Sequence, residues 1–277
     1  MDDLLQKATL TQSQSGKSPL AFFVLVMIFA IPFWVIGGVT GLQLLPGLPI
    51  AALMAVCPGL AALILAYREN RSTGVKMLVK RAFDYERITA KVWYTPTLLL
   101  MPVVMVLSFG VIRLSGTLVP IPSIPILPTV IMCVAFFIGA LGEELGWSGY
   151  ATDPMQNRLG ALQASIVLGL IWAVYHFIGL TQTHRSMTWI AWWSLGTVAL
   201  RVIMVWLYNN TGKSVFAVAI FHMTINVTWQ LFPVNGSYYD PRVTGTITAL
   251  VAVMIIVFWG PRTLVRNKKG VKNRRLV

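Results

Sequence analysis

Residues 129–150, "TVIMCVAFFIGALGEELGWSGY", join an uncharged apolar run to two adjacent carboxylates, Glu143 and Glu144. The run has the composition of a membrane-spanning helix, in whose centre a charged side chain costs about 2.5–3.5 kcal/mol even on lenient insertion scales. Such residues are retained mainly where they face a cavity, a partner or a reaction. The stretch therefore predicts a helical membrane fold with a functional site inside it.

The composition is that of an integral membrane protein. Of the 277 residues, 56% are hydrophobic and only 11% are charged, against about 25% charged in an ordinary soluble domain. The net charge of +13 does not indicate nucleic-acid binding, because the basic residues cluster in a few short loops and one tail. We therefore expect an all-α, multi-pass protein of the cell membrane that forms one polytopic domain over residues 1–277.

Eight apolar segments have about the 20 residues that a spanning helix needs. A proline-rich stretch at 115–128 separates the third from the fourth and predicts a connecting loop. The expected fold is thus a bundle of about eight transmembrane helices. The predicted spans are 19–39, 48–67, 92–114, 126–147, 162–181, 187–208, 215–232 and 243–259.

The distribution of basic residues predicts the orientation of this bundle, because lysine and arginine are retained on the cytoplasmic side. With eight spans and a cytoplasmic N-terminus, eighteen of the 22 basic residues fall on the inner side. Three fall in outer loops, namely Arg113, Arg185 and Arg242, and Arg201 falls within a span. Both termini are therefore predicted to be cytoplasmic.

Several segments outside the spans carry simpler predictions. Segment 68–91 has basic residues around apolar ones at helical spacing, which predicts an amphipathic helix on the anionic inner leaflet and membrane lipid as a partner. The polar segment 1–18 lacks a cleavage-site pattern, so we expect the first span to be retained. The basic tail 266–275 is predicted to be a solvated topology signal. Cys57 and Cys133 lie in apolar runs and are expected to be core residues, not a disulfide or metal pair.

A short set of hydrophilic side chains falls inside the predicted spans. At about 1.5 Å of rise per residue, four of them reach comparable depths in the inner half of the membrane. His222 and Asn226, four residues apart, share one helix face, whereas Glu143 and Glu144 diverge by about 100°. One of the two carboxylates is therefore expected to face a ligand while the other orients a neighbour. The complete set is Glu143, Glu144, His176, Arg201, His222 and Asn226.

Two carboxylates, two imidazoles and one carboxamide support three kinds of chemistry. A glutamate beside a histidine can deprotonate water for attack on a carbonyl, and a second histidine with an asparagine can stabilise the resulting oxyanion. Glutamate with two histidines is also a common zinc ligand set. A proton relay in a transporter is the third interpretation. Any one of these groups alone is as often a polar contact between helices.

Three ordered motifs resemble those of a known family. The chain has "EELGWSGY" from Glu143, "WAVYHF" with His176 and "FHMTIN" with His222 and Asn226. These resemble the Glu-Glu-x-x-x-Arg, Phe-x-x-x-His and His-x-x-x-Asn motifs of the CPBP family of intramembrane proteases. That family includes type II CAAX prenyl endopeptidases and bacteriocin-immunity proteins. The motifs lie within a predicted core at 126–232.

The resemblance implies roles for the residues that match. Glu143 would activate water with His176 as its partner, His222 and Asn226 would stabilise the oxyanion, and Glu144 would support the site. It implies a glutamate-dependent endopeptidase without an obligatory metal or other cofactor, with zinc as the alternative. It also implies a cavity open to the cytoplasm and a peptide or protein substrate, with prenylated ones among the candidates. A non-catalytic scaffold or immunity protein of the same fold is the rival interpretation.

Two positions depart from the family pattern. Ser148 stands where the family has arginine, which removes an expected charge partner of a carboxylate. Trp172 stands where the second motif has phenylalanine. Arg158 and Arg201 are the candidates for supplying the missing positive charge.

Overall fold

The structure is a computed structural model that describes residues 18–233 and 236–266. The predictions for the N-terminal segment and for the basic tail beyond residue 266 lie outside these ranges. The described residues form nine α-helices and a two-stranded antiparallel hairpin, Gln43–Leu45 with Leu48–Pro49. The helices are α1 Pro19–Thr40, α2 Cys57–Val79, α3 Tyr94–Leu114, α4 Ile126–Gly146, α5 Thr152–Leu159, α6 Ala161–Gln182, α7 Met187–Asn210, α8 Val215–Gln230 and α9 Pro241–Trp259.

The predicted all-α membrane bundle is confirmed. Within the described ranges, seven helices are long and apolar enough to cross a membrane. The remaining predicted span corresponds to α8, which is apolar but has only 16 residues. This helix packs against α3 and α4 and buries nine of its side chains, including Phe221 and His222. It therefore lies in the interior of the bundle, where neighbouring helices surround its polar groups.

The connections between helices gather at two opposite faces of the bundle. At the first, which we call the basic face, Arg81 donates to the carbonyl of Gly149 at 2.8 Å and to the Tyr208 hydroxyl at 2.8 Å. Asn210 donates there to the carbonyl of Leu264. At the second, the distal face, Gln230 donates to the carbonyl of Pro46 at 3.1 Å. The alternation of the loops between these faces is that of a chain crossing the membrane repeatedly.

Small residues bring α2 and α4 close together at the level of the two glutamates. A Cβ on Gly59 would lie 2.7 Å from the carbonyl oxygen of Gly142, and a Cβ on Gly146 would lie 2.4 Å from that of Pro58. Such approaches allow membrane helices to pack closely by van der Waals contact. Immediately after α4, residues Trp147–Ala151 form a π-helical turn, a feature often found at functional sites. The glycines and this turn fix where Glu143 and Glu144 lie.

The prediction of one amphipathic helix over 68–91 is wrong. The α2 helix is broken by non-helical backbone angles at Asn70 and Arg71, and short 3₁₀ helices follow at Lys80–Phe83 and Tyr85–Arg87. The helical spacing of the apolar residues missed this break. Arg81 also bonds to three other segments of the protein. At this position the side chain connects separate segments of the protein.

Cysteine labelling tests which face is cytoplasmic. Cys57 and Cys133 are free thiols, so both are first replaced by alanine. In that background, Glu86→Cys reports on the basic face and Thr117→Cys on the distal face, since both side chains are exposed. We expect a membrane-impermeant maleimide to label Thr117→Cys in intact cells and Glu86→Cys only after the membrane is opened. The reverse labelling pattern would show that the orientation predicted from the charge distribution is wrong.

Candidate functional site

A cavity of about 570 Å³ lies between the helices and contains most of the predicted site residues. Glu143 reaches it from α4, His176 from α6, and His222 and Asn226 from α8. Glu144 does not line it. The walls are mainly apolar, with side chains from every helix from α3 to α9 except α5. The structure thus brings four groups from three helices to one enclosed space.

Glu143 is held by two indoles. Its side chain is buried, and Oε2 accepts hydrogen bonds from Trp172 Nε1 at 2.7 Å and Trp147 Nε1 at 3.2 Å. Trp147 lies one helical turn further along the same helix segment, whereas Trp172 comes from α6. Both donors occupy the same oxygen, so the other oxygen, Oε1, remains available to the cavity.

His176 faces that second oxygen. Its Nδ1 lies 2.8 Å from the carbonyl oxygen of Trp172, and because a carbonyl can only accept, Nδ1 is the donor. The opposite nitrogen, Nε2, lies 4.0 Å from Glu143 Oε1. This distance is too long for a direct hydrogen bond and suits one bridging water. One water molecule could therefore bridge His176 Nε2 and Glu143 Oε1.

Glu144 is completely buried and lies behind the cavity wall. Arg201 donates to both of its oxygens, from Nη1 to Oε2 at 2.9 Å and from Nη2 to Oε1 at 3.2 Å. Ser148 also donates to Oε2. His222 Nδ1 lies 3.1 Å from Oε1 and is the donor, because an ionised carboxylate only accepts. The carboxylate thereby fixes the orientation of the His222 ring.

His222 and Asn226 line the same wall of the cavity, one turn apart on α8. The Trp172 ring lies between the two imidazoles, with ring centroids 5.2 Å from His222 and 5.6 Å from His176 in edge-to-face contact. The Asn226 carboxamide makes no hydrogen bond to the described part of the chain. It is therefore free to bond a molecule in the cavity.

Sequence reasoning missed the contributions of three residues. The sequence makes Arg201 a candidate partner of a carboxylate without saying which one, and it marks Trp172 only as a departure from a motif. The structure gives each of them a contact with a glutamate. Trp147 was not singled out, although its position one turn after Glu143 is a signal that helix periodicity provides. Arg158 is exposed at the end of α5 and has no such contact with a glutamate.

The cavity continues from these groups to the distal face. It follows one side of α6, and its far end includes loop residues such as Leu44, Arg185 and Tyr239. Burial lowers the pKa of the Arg185 guanidinium and raises the pKa of the Tyr239 hydroxyl. The charge distribution places this face outside the cell, whereas the resemblance implies a cavity open to the cytoplasm. The labelling experiment described above decides between these two predictions.

A metal ion finds no ready set of ligands in this part of the molecule. Across residues 18–233 and 236–266, no group of three or more His, Cys, Asp and Glu side chains is placed to hold one. Within the site, Nδ1 of His222 and of His176 donates to Glu144 and to a carbonyl, an arrangement that leaves Nε2 of each ring available and is also usual for metal-ligating histidines.

Comparisons with known proteins agree with the motifs. Residues 125–228 match the family model described as type II CAAX prenyl endopeptidase Rce1-like. CAAX prenyl protease 2 of Methanococcus maripaludis is 25% identical over 271 residues, which cover 87% of this chain and 94% of that protein. Lysostaphin resistance protein A of Staphylococcus haemolyticus is 25% identical over 154 residues, 54% of this chain and 39% of that protein.

The matched residues include all three motifs, with Glu143, His176, His222 and Asn226 among them. The similarity to the archaeal prenyl protease extends over most of both chains, including the spans that flank the motifs. The chain is thus similar to the type II CAAX prenyl endopeptidases, over residues 125–228 in the family model and over most of its length in the archaeal relative.

Proposed function

We propose that this protein is an intramembrane endopeptidase that hydrolyses a peptide bond with water activated by Glu143. The observation that carries the proposal is the separation of 4.0 Å between Glu143 Oε1 and His176 Nε2, both facing one cavity. A water between them can bond to both atoms. Glu143 would then accept a proton as the water oxygen attacks the carbonyl carbon.

The proposed reaction proceeds without a covalent enzyme intermediate. Water gives its hydroxyl to the carbonyl carbon and its proton to Glu143. When the tetrahedral intermediate collapses and the C–N bond breaks, the same proton passes to the leaving nitrogen. The two indole donors on Glu143 Oε2 hold the carboxylate in place during both transfers. The products are a new carboxyl group and a free amine.

The opposite wall of the cavity would stabilise the negative charge on the carbonyl oxygen. The free Asn226 amide is a suitable donor. His222 donates from Nδ1 to Glu144, so its Nε2 is a donor only when both ring nitrogens carry protons. Glu144 orients the His222 ring before the substrate arrives, and such preorganisation makes oxyanion stabilisation effective.

We propose a membrane-associated peptide as the substrate, with prenylated CAAX peptides as the first candidates. The cavity walls are mainly apolar, and the full-length relative from Methanococcus maripaludis is named as a CAAX prenyl protease. Arg185 at the far end of the cavity gives an anionic group, such as a C-terminal carboxylate, a possible contact.

A cleavage assay tests the proposed activity. Purified protein in detergent is incubated with a fluorogenic prenylated CAAX peptide, and wild type is compared with His176→Ala. We expect cleavage by wild type and a loss of about 10²- to 10⁴-fold in the variant, because the general-base pair is broken. Absence of cleavage with both a prenylated and an unprenylated peptide would favour the scaffold. Proton-coupled flux in vesicles, again without cleavage, would favour a transporter.

The oxyanion role is tested separately with Asn226→Ala. Loss of one donor should lower kcat by about 10²- to 10³-fold. KM should change little, because this contact strengthens in the transition state. Met223→Ala on the same helix is the control, since Met223 does not line the cavity. Equal rates for wild type and Asn226→Ala would exclude the carboxamide from catalysis.

A further inference from the structure

Glu144 is held by donors from α7, from α8 and from the π-helical turn after α4, and its arginine partner is distant in sequence. Arg201 on α7 spans both carboxylate oxygens, while Ser148 donates to one of them from one turn beyond Glu144. Glu144 and Arg201 are each 0% exposed, and neither lines the cavity. The ion pair is therefore inaccessible to a substrate in the cavity.

The same guanidinium is linked to the other carboxylate through one aromatic ring. The Arg201 guanidinium carbon lies 4.4 Å from the centroid of the Trp172 ring, within the range of a cation–π contact. The Nε1 of that ring donates to Glu143 at 2.7 Å. Arg201 therefore contacts Glu144 directly and supports the indole that holds Glu143.

We infer that Arg201 is a positioning residue for both halves of the site: it orients Glu144, and through it His222, and it supports the indole of Trp172 against Glu143. The inference rests on the proposed function and deepens it. Because Oε1 of Glu144 accepts from both Arg201 and His222, rotation of the carboxylate would release the imidazole. Arg201 thereby keeps His222 Nδ1 occupied and its Nε2 turned away from the ion pair.

The geometry further indicates that position 148 can supply the same charge in place of Arg201. Ser148 lies on the turn after Glu144 and already bonds to the oxygen that Arg201 Nη1 contacts. A guanidinium can therefore reach this carboxylate from either position. With two of them, one positive charge would be left buried without a partner, which is strongly unfavourable. Two arrangements therefore give Glu144 a single guanidinium. One has Ser148 with Arg201, and the other has arginine at position 148 and no arginine at position 201.

An exchange of positions tests this inference. Arg201→Met should lower kcat about 10- to 100-fold with little change in KM, as for other residues that orient a catalytic group. Ser148→Arg alone should also lower kcat, because two guanidinium groups then compete for one carboxylate. The combination Ser148→Arg with Arg201→Met should recover about tenfold over either single variant, which is the signature of energetic coupling. Arg158→Met, an exposed position, is the control and should match wild type.

A readout independent of peptide cleavage separates this inference from the proposed function. The chain has three histidines, so NMR of isotope-labelled imidazoles can follow His222 after assignment with variants of the other two. We expect His222 Nδ1 to carry a proton in wild type and in the double variant. In Arg201→Met, we expect the proton to be shared between Nδ1 and Nε2. The measurement does not require a substrate.

Arg201→Lys serves if Arg201→Met does not fold. Lysine keeps the charge but cannot make the two-point contact with both oxygens, so it should fold and still show a lowered kcat. If wild type does not cleave the peptide but the His222 signals are as expected, the proposed function is overturned and the positioning role of Arg201 is not. Full activity and unchanged His222 signals in the folded Arg201 variants would overturn the positioning role, as would a double variant no better than either single one.

Discussion

Glu143→Gln is expected to lower the rate of peptide cleavage by about 10²- to 10⁴-fold, the range that a general base contributes. Glutamine has nearly the same shape, and its carbonyl oxygen can still accept from Trp172 and Trp147. It cannot accept the proton of an attacking water. The variant should therefore keep the geometry of the site and lose the chemical step. The measurement is the initial rate of cleavage of a fluorogenic peptide by purified protein.

The control for this substitution is Glu86→Gln, which removes a carboxylate from an exposed position on the basic face. Its rate should equal that of wild type. Thermal unfolding in detergent should show similar midpoints for wild type and Glu143→Gln. A Glu143→Gln variant that cleaves at the wild-type rate would assign the base to another residue, and His176 would be the first candidate because its Nε2 faces the same space.

Glu144→Leu is expected to destabilise the protein by about 3–5 kcal/mol, the usual result when one partner of a buried ion pair is removed. The substitution leaves the buried guanidinium of Arg201 without its carboxylate. Replacing both partners, as Glu144→Leu with Arg201→Met, should recover much of this loss, because two apolar side chains leave no buried charge. Unfolding in detergent measures all three proteins against wild type.

Glu69→Leu provides a second comparison for the stability measurement. Glu69 accepts a hydrogen bond from Tyr150 but has no arginine at salt-bridge distance among the described residues. Its loss should cost less than the loss of Glu144. If Glu144→Leu were no less stable than Glu69→Leu, the ion pair would contribute little to the fold. A double variant as unstable as the single one would contradict the assignment of the cost to an unpaired arginine.

The membrane fold was largely predictable because apolar length is a strong signal in lipid. Residues 126–147 were expected to span, and α4 covers Ile126–Gly146. The break in α2 was not predictable from apolar spacing. Asn70 and Arg71 leave the helical conformation, and no proline marks the position. The length of α8 was overestimated by two residues, because apolar character continues to Phe232 beyond its last helical residue, Gln230.

The polar residues that line the cavity were predicted from a simpler signal, the rarity of polar groups inside apolar segments. Glu143, His176, His222 and Asn226 all line the cavity. The sequence offered Arg158 and Arg201 as possible charge partners of a carboxylate, but it could not decide which one pairs with which glutamate. Arg201 is 57 residues from Glu144, and no local pattern connects them. The contact of Trp172 with Glu143 depends on how α4 and α6 pack. Helix periodicity gives directions around one helix but not the position of its neighbour.

The most direct test of glutamate-dependent hydrolysis is peptide cleavage by wild-type protein that has been stripped of metal. The enzyme is treated with a strong chelator, the chelator is removed, and both fragments of the prenylated peptide are followed by mass spectrometry. We expect the stripped enzyme to cleave at the untreated rate and to yield one new carboxyl terminus and one new amino terminus. Loss of cleavage on stripping, with recovery on adding zinc, would contradict the account and make Glu143 and the histidines metal ligands.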